Sequence, residues 1–230
     1  MPKKIADIRR AEIVRALYDA IQIEGVSLPS YDHIAREGDM SRQLVRHYYR
    51  DPEQMAVDLC DDLAATYKDL LMRGVLHAEP ADRLRVFLDF YFDRLADKGL
   101  GKPQDEPVYD ALFALASVSE RVRNKLREQF SELRHALADE MQASHPELSP
   151  AGCSELAYLV VSQMYGHWTM KATLGMANAD SDTPRAAIDR LIASYVASHD
   201  ERAPAPVRSS ATGTPSGGSA REGTMELAAP

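Results

Sequence analysis

The stretch SYDHIAREGDMSRQLVRHYY, Ser30 to Tyr49, decides the fold. Ser30 is a good N-cap for a short helix from Tyr31 to Glu37, with Ile34 and Ala35 turned inward. Gly38-Asp39 makes a turn, and Ser41 then caps a further helix to about Tyr48. Two short helices joined by a tight turn are the sequence form of a helix-turn-helix, whose second helix enters the major groove of DNA.

The helix after Ser41 has two sides. Arg42 and Arg46 are four residues apart, as are Gln43 and His47, so both pairs share one side. Val45 and Tyr49 lie opposite and are expected to pack inward. Arg makes bidentate contacts to guanine and Gln to adenine. Ser30 sits at a helix start, where its hydroxyl and backbone N–H groups can hold a phosphate. Lys3, Lys4, Arg9 and Arg10 can add phosphate contacts. A merely solvated helix face uses the same residue types. The preceding long helix, which completes a three-helix unit, favours the DNA reading.

Outward from this unit the chain reads as helix after helix. The first covers Ile5 to Glu24, with Val14, Leu17 and Ile21 on one face and Gly25 as its stop. Asp51-Pro52-Glu53-Gln54 opens a long helix to about His77, with Asp51 as N-cap, Pro52 at the first position and Gln54 able to complete a capping box. An aromatic-rich helix is expected from Pro80 to near Asp97, then a Gly- and Pro-rich loop, KGLGKPQDEP. Further helices are expected at about 108–117, 120–144, 151–174 and 184–199. Strand alternation and internal repeats are missing. From residue 201 the chain is rich in Pro, Gly, Ser and Ala, and is expected to be a disordered tail.

Of 230 residues, 45% are hydrophobic and 27% charged, as in ordinary globular chains. No run is long and apolar enough for a membrane span, and the N-terminus lacks a signal-peptide pattern, so a cytoplasmic location is expected. Cys60 and Cys153 are far apart without metal-type spacing, which argues against a disulfide framework and suits a reducing compartment. The net charge of −8 argues against a general nucleic-acid binder. Residues 1–50 nevertheless hold nine Lys/Arg against seven Asp/Glu, while the rest hold 18 against 28. A mildly basic head on an acidic body fits contact with DNA at one end.

Residues 9–60 resemble the N-terminal domain of the TetR family of transcriptional regulators. The match runs through Gly25, Ser30, Ile34-Ala35, Ser41, Val45, Tyr49, Glu53 and Met55. The family's usual turn, Ala-Gly-Val-Ser, is here Gly38-Asp39-Met40-Ser41, so Asp39 must take the backbone conformation that Gly usually supplies. Leu44 replaces a usual Thr, Arg46 and Tyr48 replace Tyr and His, and Pro52 replaces a phosphate-binding Lys. The resemblance implies that Arg42, Gln43, Leu44, Arg46, His47 and Tyr48 face operator DNA. It also implies an all-α chain of about nine helices: a DNA-binding head over residues 1–51, an effector-binding and dimerisation body over 52–200, and the tail over 201–230.

In that family the body binds a small ligand and forms a homodimer. The helix near 151–174 is apolar around much of its circumference, and Ile188, Leu191, Ile192 and Tyr195 form a stripe on the last helix. With Val161 they are candidates for a four-helix dimer interface, although an intramolecular helix pair would show the same pattern. Tyr67, Phe87, Tyr91, Phe113, Met164, His167 and Trp168 are candidates for an effector cavity, with His167 as its polar anchor and a hydrophobic or aromatic molecule as its occupant. No cofactor or metal is called for. Glu132 and His135 have the spacing of half a di-iron site, but no second copy exists, so a solvated face is the expected reading and an enzyme is not. The alternative to a ligand-responsive repressor is a helical interaction module of the same fold that does not bind DNA.

Overall fold

A computed structural model describes residues 5–25, 28–176 and 180–202. Lys3, Lys4 and the tail beyond Arg202 lie outside the described residues. Within them run nine α-helices and no strand. They are α1 (Ile5–Glu24), α2 (Tyr31–Glu37), α3 (Arg42–Tyr48), α4 (Pro52–Leu76), α5 (Arg83–Tyr91), α6 (Glu106–Ala116), α7 (Glu120–Ser144), α8 (Pro150–Trp168) and α9 (Asp182–Arg202).

The caps read from sequence set the helix starts. Ser30 Oγ accepts from the His33 N–H at 3.3 Å, and Ser41 Oγ from the Leu44 N–H at 3.1 Å. Asp51 Oδ1 accepts from the Glu53 N–H at 3.0 Å. Each satisfies a backbone donor that the first turn leaves without an intrahelical partner. Asp39 takes the left-handed conformation expected of it, at φ 47°. Gly38 has an ordinary φ of −89°, and its value is space: a Cβ there would come within 2.9 Å of the Ala16 side chain. The glycine lets the turn lie close on α1.

Four details depart from the sequence reading. Gln54 makes no capping box, because its amide N–H donates to Asp58 at 2.6 Å and its oxygen accepts from Arg121 at 2.5 Å. The aromatic-rich helix ends at Tyr91, ahead of Asp97, where Asp93 at φ 55° turns the chain. The helix expected to reach Leu174 is α-helical to Trp168 and closes in a π-helical turn, Thr169–Thr173. Residues 201 and 202, assigned to the tail, belong to α9.

Two apolar cores follow. The first gathers Ile13, Leu17 and Ile21 of α1, Ile34 of α2, Val45 of α3 and Leu59 of α4, all fully buried. It takes in Leu112 of α6 and Val122 of α7, so packing is continuous across residue 51. The second is built from Phe87 and Phe90 of α5, Leu137 and Met141 of α7, Leu156 and Val160 of α8 and Ile188 of α9. A buried ion pair, Arg185 Nε to Asp89 Oδ1 at 2.9 Å, clamps α9 onto α5. Helix α4 runs through both cores, from Met55 in the first to Tyr67 in the second.

Candidate DNA interface and ligand cavity

Helix α3 turns Val45 into the first core at 0% exposure and leaves Arg42, Gln43, Arg46 and His47 exposed, with Leu44 and Tyr48 half-buried beside them. The side chains expected to meet DNA therefore form one continuous outward face. Ser30 is also exposed, with its oxygen engaged as the α2 cap and its O–H left to donate. Arg42 pairs with Asp32 of α2 at 3.2 Å, both largely exposed. Arg10, expected near phosphate, stays exposed, with its guanidinium 5.2 Å over the Tyr49 ring and 3.6 Å from Asp58.

The end of α3 is bolted to α4. Tyr49 is buried, and its O–H donates to Asp58 Oδ2 at 2.6 Å. Burial, then the bond to Asp58, push the Tyr49 hydroxyl above its usual range, so it stays protonated and donating. From the other side, Arg121 at the start of α7 pairs with Asp51 and bonds Gln54. The pose of α3 is thus set by the first turns of α4.

The other end of α4 lines a cavity of about 430 Å³ in the body. Tyr67, Phe87, Tyr91, Met164 and Trp168 line it as the sequence suggested. Phe113 does not: it lines a separate groove between α6, α7 and α8, its ring 4.7 Å from that of Tyr165. His167 does not either. Successive residues of a helix point about 100° apart, and with Trp168 turned to the cavity, His167 turns to Phe92 and bonds Ser181 Oγ at 3.2 Å. Burial, then Lys171, lower the His167 pKa, so it is a neutral packing group.

The sequence reading missed the polar wall of this cavity. Lys102, Asp105 and Glu106 line it beside Tyr109 and Gln129. Tyr67 O–H donates to Asp105 Oδ1 at 2.8 Å, and its ring stacks on Tyr91 at 5.8 Å and 4°. Burial pushes the Asp105 carboxyl up, against the pull of Lys102 and the bond from Tyr67. A Gly- and Pro-rich loop gave no sign that its charges would be buried.

The dimer candidates divide. Ile188 and Ile192 are buried within the chain, packed in the second core with Val161. Leu191 and Tyr195 stay half-buried, and Tyr158, on the exposed side of α8, is 55% exposed. Glu132 and His135 are both exposed, as a solvated face requires. Among the described residues no group of three or more His, Cys, Asp or Glu could hold a metal ion, and no helix is long and apolar enough to cross a membrane.

No family profile matches the chain. It is 25% identical to the HTH-type transcriptional regulator BetI of Escherichia coli O17:K52:H18 over 180 residues, spanning 76% of this chain and 88% of the relative. A TetR transcription regulator from Haloarcula marismortui shares its fold at a TM-score of 0.70 and 18% identity, over 82% of this chain and 98% of that one. A transcriptional regulator from Saccharomonospora viridis, solved in complex with choline, superposes at a TM-score of 0.64 and 13% identity, over 80% of this chain and 95% of that one.

Proposed function

We propose that this chain, a transcriptional regulator of the TetR type, is a homodimeric repressor that a small molecule releases from DNA. The observation that carries the reading is the outward face of α3, with Arg42, Gln43, Arg46 and His47 exposed together on a helix anchored from behind by Val45 and Tyr49. Two copies paired through α8 and α9, with Leu191 and Tyr195 at the seam, set one α3 in each of two successive major grooves, about 34 Å apart. The natural site is then a pseudo-palindrome in cytoplasmic DNA. The division of labour is a head over residues 1–51 and a body over 52–200.

Release follows from connectivity. Helix α4 lines the cavity at Tyr67, Lys68 and Leu71 and holds α3 through Asp58. A second link runs from the Gln22 amide of α1 to the Gln104 carbonyl at 2.7 Å, next to the cavity's polar wall. A ligand that prefers a different setting of these links lowers DNA affinity by the difference in its affinity for the two states. The cavity's aromatic lining suits an effector with apolar or aromatic surface. One neighbour of the same fold was solved with choline, so a small organic ligand is within reach of such a fold.

The test is Arg42→Ala with Arg46→Ala. Operator affinity is expected to fall by about a hundredfold or more, with a reduced salt slope. Melting temperature and dimer mass should be unchanged, since both side chains are exposed. Unchanged DNA affinity in the folded double variant would remove α3 as the reading helix.

A further inference from the structure

The effector cavity contains a cation already. The Lys102 ammonium lies 4.5 Å over the Trp168 ring and 6.0 Å from the Tyr67 ring centre, with its side chain only 8% exposed. It bonds the Glu106 carboxylate and reaches Asp105 Oδ1 at 3.5 Å. Aromatic faces and carboxylates around an ammonium are the elements of a site that binds organic cations.

This wall is not satisfied by Lys102 alone. Asp105 Oδ2 is buried and has no hydrogen-bond partner, and neither has Gln129 Oε1, and both residues line the cavity. Both atoms are acceptors, so they call for a donor or a positive charge. The lining carries Asp105, Glu106, Asp110 and Glu132 against Lys68 and Lys102. That balance repels anions and favours a cation. The ammonium also donates to the Pro103 carbonyl at 2.7 Å, while the Lys102 backbone N–H is held separately by Asp93 Oδ1 at 2.9 Å, so losing the side chain's bonds does not release that backbone bond.

We propose that the Trp168–Tyr67–Asp105–Glu106 wall is a subsite for an organic ammonium group, that Lys102 fills it in the ligand-free protein, and that a cationic effector binds by displacing this lysine. The inference rests on the cavity being the effector site and names the chemistry of its ligand: a substituted ammonium head with an apolar body that fills the remaining space. While Lys102 holds the subsite, apparent affinity is lowered by the fraction of molecules in which it is occupied.

Trp168 is the chain's single tryptophan, so its fluorescence reports the subsite directly in the full-length protein with no DNA present. The probes are choline, benzyltrimethylammonium, the neutral isostere of choline with carbon in place of nitrogen, and the carboxylate of the same shape. The cations are expected to bind about tenfold or more tightly than the neutral isostere, and the carboxylate more weakly than either. Lys102→Met should tighten cation binding by about tenfold and leave the neutral isostere little changed. If that variant unfolds, Lys102→Gln gives the same comparison. Asp105→Asn should erase the preference for the cation. Equal binding of cation and isostere, or weaker cation binding once Lys102 is replaced, overturns the proposal. Because DNA is absent, a failure of the DNA reading would leave this result intact. Effector release by neutral molecules alone would remove the cation subsite while keeping the cavity as the effector site.

Discussion

Tyr49 in the head and Asp105 in the body are both 1% exposed, and their surroundings differ. The Tyr49 hydroxyl has Asp58 as acceptor at 2.6 Å, and Asp58 is met in turn by Gln54 and by Arg10. Around Asp105 one oxygen takes bonds from Tyr67 and Lys102 while the other has no partner, and a cavity lies alongside. Buried polar groups left incomplete in the interior are costly. The polar group around Tyr49 is fully paired and ties the end of α3 to α4. The group around Asp105 keeps an unmet acceptor on a residue that lines the cavity.

The contrast is broken most forcefully by cutting into each core. Leu17→Ala removes a fully buried side chain from the closed core, and is expected to cost toward the upper part of about 2–5 kcal/mol. Met164→Ala, beside the existing cavity, should fall toward the lower part of that range. Chemical denaturation of both variants compares them, and a larger loss at Met164 would mean that the cavity wall is packed as tightly as the head.

Tyr49→Phe keeps the ring and removes the bond to Asp58. A charge-assisted bond of this kind contributes about 1.5–3 kcal/mol, and unfolding curves should show a loss near the lower figure. Because α3 is then less firmly tied to α4, the same variant should respond less to effector in a DNA-release assay. Full release at unchanged effector concentration would place the coupling elsewhere.

A smaller effect is expected at Asp32, the exposed partner of Arg42. Asp32→Asn frees that arginine and removes a charge that phosphates repel, so DNA affinity should rise by about two- to fivefold, most at low salt. Fluorescence anisotropy at two ionic strengths checks both parts.

The smallest effect concerns His167, which faces Phe92, Trp168, Ser181, Lys171 and Asp180. Its folded pKa lies below the ordinary 6.5, so below that pH the unfolded chain takes up the proton more readily. The stability contributed by neutral His167 is full above about pH 6.5 and is lost as pH falls toward the lowered folded value. His167→Gln should flatten the melting temperature across this window, with the lost ring contacts to Phe92 and Trp168 adding a constant offset that is also seen at pH 8.

How much of this could be read from the sequence follows the same division. In the head, local chemistry settles the structure: Ser30, Ser41 and Asp51 cap the helices that their positions announce, and Asp39 takes the left-handed turn. In the body, helices and aromatic lining were legible, because apolar periodicity marks inward faces. Periodicity does not say which neighbour a face meets, so Ile188 and Ile192 read as seam first and intrachain core second, and they are core within the chain. Nor does it find the wall at Lys102 and Asp105, where Tyr67 meets a residue 38 positions away in a loop.

The most direct test of the account is selection from random duplex DNA by the purified full-length protein, with and without choline. The account predicts enrichment of a two-fold-symmetric site with half-sites about one helical turn apart, lost in the Arg42→Ala, Arg46→Ala variant. A folded, dimeric protein that enriches no sequence under either condition would contradict it.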